Sequence, residues 1–187
     1  VIIEDSDLVG FCHSQNDPHI STFDNVLYDT HLQGEFIMYR NLEYHIEVRV
    51  LFVRCGEGTC NCGVLVRSGD DVIKVHKCLP GTLSAYPISR RLFINSQLTF
   101  NSNIYQAEDG NKYEIYLPTG AKVILKNDQG KYMNVYIEAS VLDLNKTDGL
   151  CGKYDGLKAD DLVGADGTIY SVTDAADQPN DFSRSWR

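Results

Sequence analysis

The clearest pattern in the chain is a run of alternating apolar and polar side chains near position 50. From Tyr44 to Phe52 every second residue is apolar, and His45, Glu47 and Arg49 lie between them. Alternation with a period of two places successive side chains on opposite faces of a sheet. We therefore predict one long strand from residue 43 to 54, buried on both faces at its far end, with His45 on its exposed surface.

Shorter apolar runs separated by turn residues fill most of the remaining chain. Residues 64–66 and 72–75 flank Ser68-Gly69-Asp70, which predicts a β-hairpin. Short apolar runs with turn residues at regular intervals indicate an all-β fold, an antiparallel β-sandwich. Three further turns are predicted at Asp109-Gly110, Thr119-Gly120 and Gln129-Gly130, with strands over 112–117, 121–126 and 131–138.

The strand pattern stops near Asn145, and every acidic residue after it is Asp. Because Asp favours turns and caps, this part is predicted to be irregular, with one short helical turn over 159–162. Val172, Phe182 and Trp186 are expected to pack the tail, residues 171–187, against the sheet. The prediction is one domain over 1–187, with the sandwich over 8–144 and a calcium-binding loop and packed tail over 145–187.

Composition narrows the classes of function. The 187 residues carry a net charge of −9, which disfavours nucleic-acid binding because phosphate contacts need clustered Lys and Arg. No apolar run is long enough to insert into a bilayer. The first residues do not form a signal peptide, so we expect the chain to be part of a larger secreted protein.

Six cysteines in a chain of this size allow three disulfides in fifteen connectivities, whereas the paired spacings of a zinc site are missing. An oxidising, extracellular compartment is therefore expected. The sequon Asn145-Lys146-Thr147 agrees with secretion and predicts a glycan on Asn145.

Three aspartates, Asp155, Asp160 and Asp161, follow closely after Cys151. Clustered carboxylates and turn carbonyls are the ligands that Ca²⁺ prefers, although the spacing is not that of an EF-hand. A solvated acidic turn is the competing interpretation. The neighbouring cysteine, which can anchor the turn covalently, favours a structural cation site.

Catalytic patterns are weak by comparison. The five histidines are scattered, and no serine has the setting of an activated nucleophile. Glu35 and Asp24 could form a glycosidase pair only if the fold brought them together. We therefore predict that the chain is not an enzyme; a lipid-carrying role has no support from exposed apolar strands.

Several motifs together resemble the von Willebrand factor type D domain. They are Asp17-Pro18-His19 with Thr22-Phe23-Asp24, Gly149-Leu150-Cys151-Gly152, and Phe182 with Trp186 near the end. The resemblance covers nearly the whole chain, and some motifs are most similar to members that also contain EGF-like domains. It implies a secreted, disulfide-stapled, usually calcium-binding β-sandwich of adhesive, mucin-like and matrix proteins, with extracellular proteins as partners.

The resemblance also implies a ligand set for calcium, namely Asp24, Asp155, the carbonyl of Leu157, Asp160 and Asp161. These acids would repel one another strongly without a cation. Family members commonly have Asn where this chain has Lys153. An ammonium cannot ligate a cation, so Lys153 is expected either to point away or to weaken the site.

A Cys12–Cys151 bridge follows from the same resemblance and would bring Asp24 towards the aspartate loop. Two local bridges are then expected among Cys55, Cys60, Cys62 and Cys78, with the pairing left open. Because no cysteine remains, no intermolecular disulfide is predicted.

Some members of the family cleave their own Asp-Pro bond within Gly-Asp-Pro-His, and the corresponding bond here is Asp17-Pro18. The Asp17 carboxylate would attack its own carbonyl carbon, and His19 could act as an acid or base. Asn16 replaces the glycine, and Asn is the residue that next most readily adopts a left-handed conformation. An ordinary β-turn with Pro at its second position is the interpretation that we prefer.

Overall fold

The computed structural model describes residues 9–78, 89–93, 102–107, 110–128, 132–171 and 180–187. Their strands pair into two antiparallel sheets, which confirms the predicted all-β sandwich. The elements are β1 (Phe11–Gln15), β2 (His19–Ser21), β3 (Leu27–Asp29), β4 (Gly34–Asn41), β5 (Ile46–Cys55), β6 (Gly58–Ser68), β7 (Asp71–His76), β8 (Ser89–Phe93), β9 (Asn103–Gln106), β10 (Lys112–Tyr116), β11 (Lys122–Asp128), β12 (Tyr132–Glu138), β13 (Thr147–Asp148) and α1 (Asp181–Ser185).

Over the described residues, the first sheet has the strand order β3-β2-β1-β12-β11-β10-β9 and the second β13-β4-β5-β6-β7-β8. The predicted meander is found as β10, β11 and β12, each antiparallel to the next. Its Thr119-Gly120 turn is closed by the Gly120 N–H, which donates to Leu117. The predicted turn residues Asp109, Gln129 and Gly130 lie outside the described residues.

The long strand begins at Ile46, three residues later than predicted. His45 is therefore not a strand residue: its φ is 54°, and its N–H donates to the carbonyl of Leu42 in a tight turn. The alternating pattern does not reveal this turn, because Tyr44 precedes the strand but fits the pattern by chance. At the far end Leu51 and Val53 are half-buried rather than buried.

The core lies between the sheets and is formed by every second side chain of the central strands. Met133, Val135 and Ile137 of β12 are fully buried, and β12 packs over β6 of the other sheet. The facing layer contains buried side chains of β4–β7, including Phe36, Met38, Val48, Val50, Val64, Val66, Ile73 and Val75.

The C-terminal tail is held on the same core. Asn180 caps α1 by accepting a hydrogen bond from the Ser183 N–H at 2.8 Å. Phe182 is buried against Tyr28, with ring centroids 5.4 Å apart, and Trp186 is buried while its carbonyl accepts from the N–H of Ile37. Val172, the third apolar residue expected in this packing, lies outside the described residues.

A candidate cation site clamped by a disulfide

A tight turn after β2 sets the position of Asp24. Thr22 organises it: its carbonyl accepts from the Asn25 N–H at 3.2 Å, and its hydroxyl accepts from the Val26 N–H at 2.8 Å. Asn25 adopts φ 63°, a left-handed conformation that Asn tolerates well. Phe23 is buried in the core, so Asp24 is held at the core boundary, where it is 8% exposed.

The Gly149-Leu150-Cys151-Gly152 element lies along β4. The Leu150 N–H donates to the carbonyl of Ile37 at 3.0 Å, and the Cys151 N–H donates to that of Met38 at 2.8 Å. Gly149 has φ +110°, and a Cβ there would lie 2.8 Å from the Met38 carbonyl oxygen. Glycine is therefore required both by the backbone conformation and by the close approach to β4.

The disulfide Cys12–Cys151 closes this arrangement. It joins residues 139 apart in sequence, with their Cα atoms 5.7 Å apart. Cys12 lies on β1 of the first sheet, whereas Cys151 lies beside β4 of the second, so the bridge staples the two sheets. The Phe23 N–H also donates to the Cys151 carbonyl at 3.0 Å, which places Asp24 beside the loop after Cys151.

Asp24 contacts the start of that loop directly. Its Oδ2 accepts from the N–H groups of Gly156 at 2.9 Å and Leu157 at 3.0 Å, and from that of Asp155 at 3.4 Å. Burial raises the pKa of Asp24 above its ordinary value despite these donors. The Leu157 carbonyl, predicted as a ligand, accepts from the Asp160 N–H at 3.5 Å.

Asp161 is the most deeply buried acid of the cluster, with 1% exposure. Its Oδ2 accepts from the Thr22 hydroxyl at 2.6 Å, whereas its Oδ1 is buried and has no hydrogen-bond partner among the described residues. Burial, assisted by the negative charges of Asp24, Asp160 and Asp155, raises the pKa of Asp161 to about 7. Asp160 also buries an Oδ1 without a partner in the described part of the chain.

Lys153 points into this cluster, not away from it. Its Nζ lies 2.6 Å from Oδ2 of Asp155 and 3.2 Å from Oδ2 of Asp160. Burial opposes ionisation of Asp155, but the ammonium and the Leu157 N–H outweigh it and lower the pKa of Asp155. Of the two alternatives set out for Lys153, the orientation away from the site is therefore wrong.

The predicted ligands thus lie near one another, but they do not form a complete coordination sphere. Within the described ranges, no three His, Cys, Asp or Glu side chains are arranged so that they could hold a metal ion as they stand. The chemistry of the donors nevertheless fits a hard cation, because all are oxygens and two buried carboxylate oxygens lack partners among the described residues. Asp24, Asp155, Asp160, Asp161 and the Leu157 carbonyl are the groups that would hold it.

The other cysteines form two bridges at one end of the β5–β6–β7 region. Cys55 pairs with Cys60 across the β5–β6 turn, and Cys62 pairs with Cys78 just beyond β7. All six cysteines are therefore paired within the chain.

The Asp17-Pro18-His19 element forms the turn between β1 and β2. Asn16 has φ 54°, the left-handed conformation proposed for it from the sequence. Oδ1 of Asp17 lies 3.0 Å from Nδ1 of His31, whereas His19 turns away and contacts Asp29 at 2.7 Å. The structure thus brings His31, not His19, to the Asp17 carboxylate.

A second buried carboxylate escaped sequence reasoning. Asp143 is completely buried and accepts from the hydroxyl of Tyr39 at 2.6 Å and the amide of Asn41 at 2.9 Å. The Ser140 N–H and hydroxyl also donate to it, as in a helix capping box. The signal was present as Ser140-x-x-Asp143, a known cap pattern. This cluster fixes the segment that leads into β13 and the cysteine loop.

Comparison with known proteins agrees with this architecture. The family model of the von Willebrand factor type D domain matches residues 12–168. Mucin-5B of Gallus gallus is 24% identical over 187 residues, which covers 95% of this chain and 8% of that protein. The chain therefore spans less than a tenth of the length of this relative. No helix in the described residues is long and apolar enough to cross a membrane.

The matched range begins at Cys12 and extends past Cys151, so it contains both halves of the clamp and the acidic loop. The two-sheet fold, the end-to-end disulfide and the match together place this chain in the von Willebrand factor type D domain family.

Proposed function

We propose that the chain is a non-enzymatic, calcium-binding structural and protein-interaction module of a larger extracellular protein. The observation that carries the proposal is the Cys12–Cys151 clamp, which holds Asp24 against a loop with two buried carboxylate oxygens that have no partner in the described part of the chain. Its expected partners are extracellular proteins, neither nucleic acid nor the bilayer interior, and the three internal disulfides suit an oxidising compartment.

Charge balance supports the calcium part of this proposal. Four carboxylates lie in the cluster, and Lys153 supplies one positive charge among them. Two like charges about 4 Å apart repel by about 4 kcal/mol at an effective dielectric of about 20. A bound divalent cation would remove this repulsion and supply partners for the buried oxygens of Asp160 and Asp161.

The arrangement of charged groups supports a structural role over hydrolysis. Glu35 binds Arg49 on the second sheet, whereas Asp24 binds the N–H groups of the acidic loop, so the two acids of the considered glycosidase pair share no partner. Family membership favours the same conclusion.

Calcium is expected to raise the melting temperature of chelator-stripped protein. At about 100 times its Kd, a ligand adds about 2.7 kcal/mol to the free energy of unfolding, which is about 5–10 °C for a domain of this size. Calorimetric titration and thermal melting, followed through the single tryptophan, measure the effect.

The matched variants for this experiment are Asp24→Asn and Asp70→Asn. Asparagine keeps a carbonyl oxygen for the Gly156 and Leu157 N–H groups but removes the charge at the site, so Asp24→Asn should lose most of the calcium response. Asp70 is exposed in the β6–β7 turn, and its variant should respond like the parent. If adding calcium to the parent gives no heat and no change in melting temperature, the metal part is refuted.

Self-cleavage at Asp17-Pro18 is a second candidate function, favoured by the left-handed Asn16 and the contact of Asp17 with His31. In this reaction a carboxylate oxygen of Asp17 bonds to its own carbonyl carbon, the C–N bond to Pro18 breaks, and the nitrogen takes a proton. Water then opens the cyclic anhydride and leaves a new C-terminal aspartate.

Incubation at mildly acidic pH followed by a reducing gel tests this reaction. Cleavage would release a fragment of roughly 17 residues from the parent but not from an Asp17→Ala variant. His31→Ala should slow it, because Nδ1 of His31 lies 3.0 Å from the Asp17 carboxylate. A single intact band from the parent would end the idea.

The predicted glycan at Asn145 belongs to the same proposal. Asn145 is exposed at φ 60°, next to the exposed side chain of Leu144. The Asn145 N–H donates to the carbonyl of Tyr154 at 2.8 Å, so a glycan on the exposed side chain would extend into solvent beside the start of the acidic loop.

A further inference from the structure

We propose that the ammonium of Lys153 is a built-in counter-ion of the acidic loop, which a divalent cation must displace before it binds. The displacement by a divalent cation rests on the proposed calcium function, whereas the role of Lys153 as counter-ion does not. It makes residue 153 the position that determines how strongly this site prefers calcium.

The first step is the geometry of the ammonium. Nζ lies 2.6 Å from Asp155 and 3.2 Å from Asp160, so one cation bridges two of the predicted ligands. The Asp155 side chain is only 3% exposed, whereas that of Lys153 is 38% exposed. The lysine thus enters the cluster from the solvent side, and its charged end lies between the carboxylates of Asp155 and Asp160.

The second step is what the ammonium leaves unsatisfied. The partnerless oxygens are Oδ1 of Asp160 and Oδ1 of Asp161, and the latter belongs to an acid with 1% exposure. An ammonium has three donors in a tetrahedral arrangement, whereas Ca²⁺ takes about 6–8 oxygen ligands. Lys153 therefore compensates Asp155 and one oxygen of Asp160, and it leaves Oδ1 of Asp160 and Oδ1 of Asp161 for a cation with more coordination positions.

The third step is that the lysine can leave. Its side chain is long and partly solvated, and rotation about its flexible stem returns the ammonium to water. The site would then hold either calcium or the ammonium, but not both at once. The apparent affinity for calcium is therefore the intrinsic affinity multiplied by the fraction of molecules in which the site is free of the ammonium.

The experiment compares the parent with Lys153→Met, Lys153→Asn and the control Lys158→Met. Methionine keeps much of the lysine volume but removes the charge and offers no oxygen, whereas asparagine removes the charge and adds a carbonyl ligand. Lys158 lies in the same loop, is exposed and forms no ion pair within the described residues, so its loss changes the net charge equally.

Two readouts are measured on the oxidised protein: calcium affinity by calorimetry, and melting temperature in excess chelator. If the ammonium occupies the site in about nine molecules of ten, both Lys153 variants should bind calcium about tenfold more tightly than the parent. In chelator both should melt a few degrees lower than the parent, and Lys158→Met should change neither value.

Tighter binding by Lys153→Asn alone would overturn the inference, because residue 153 would then act only by supplying or withholding an oxygen. Calcium binding by Lys153→Met but not by the parent would support it and would show that the parent site is held by its lysine. If no variant binds calcium, the proposed calcium function fails. The melting temperatures in chelator then test the counter-ion role. A lower melting temperature for Lys153→Met than for Lys158→Met supports this role, and equal melting temperatures for the two variants overturn it.

Discussion

Replacing Cys12 and Cys151 together by alanine is expected to lower the free energy of unfolding by about 5 kcal/mol, the value of the chain-entropy model for a loop of this length. The bridge joins residues 139 apart and is completely buried, so its removal releases almost the whole sandwich in the unfolded state. Urea unfolding followed by the fluorescence of Trp186, which is buried in the native structure, measures the loss.

The control is the corresponding double substitution of Cys55 and Cys60. These residues are only 5 apart, and the same model gives about 2 kcal/mol for so short a loop. Absence of any cooperative transition in the Cys12/Cys151 variant counts as the expected result, since the loss would then exceed the whole stability. Equal losses in the two variants would contradict the argument from loop length.

Loss of this bridge should also weaken calcium binding. Asp24 would remain tied to the loop by the hydrogen bond from Phe23 to Cys151 and by its own contacts with Gly156 and Leu157. These neutral contacts fix the acid less firmly than a covalent link between the sheets. The proposed cation site therefore depends on the disulfide, because this bond links the parts of the chain that carry Asp24 and the aspartates after Cys151.

The sheets could be predicted because their signal is local. β10 pairs with β11 and β11 with β12, and alternation alone identifies the buried side of β10, where Tyr113 and Ile115 are buried. The pairing of β1 with β12 could not be read in this way. Cys12 lies opposite Ile137, and no periodicity connects residues so distant in sequence.

The same distinction between local and long-range signals applies to the candidate site. Asp24 and the aspartates after Cys151 were identified by short motifs whose spacing is fixed along the chain. The orientation of Lys153 was not, because a long side chain takes its direction from the charges that tertiary structure places around it. The hydroxyl of Thr22 serves both the Val26 N–H and the Asp161 carboxylate, and the second contact appears only once the fold brings them together.

Gly149→Ala is expected to be among the most damaging single substitutions near the site, at about 4 kcal/mol. Two costs add: a non-glycine residue at φ +110° is strained by about 1–3 kcal/mol, and overpacking adds about as much again. The new Cβ would lie 2.8 Å from the Met38 carbonyl oxygen and 3.0 Å from that of Ile37. Both oxygens belong to the β4 backbone and accept from the N–H groups of Cys151 and Leu150, so β4 cannot yield here without disturbing these hydrogen bonds.

Gly167→Ala separates the two costs. Gly167 also has a left-handed φ, 84°, but a Cβ there meets nothing within 4 Å, so only the strain of about 1–2 kcal/mol remains. Urea unfolding of both variants therefore isolates the close approach of the cysteine element to β4. If both substitutions cost the same, the approach is not tight, and Gly149 serves the turn alone. A larger cost at Gly149 would mean that the register of Leu150 and Cys151 on β4, and with it the position of the acidic loop, depends on a residue without a side chain.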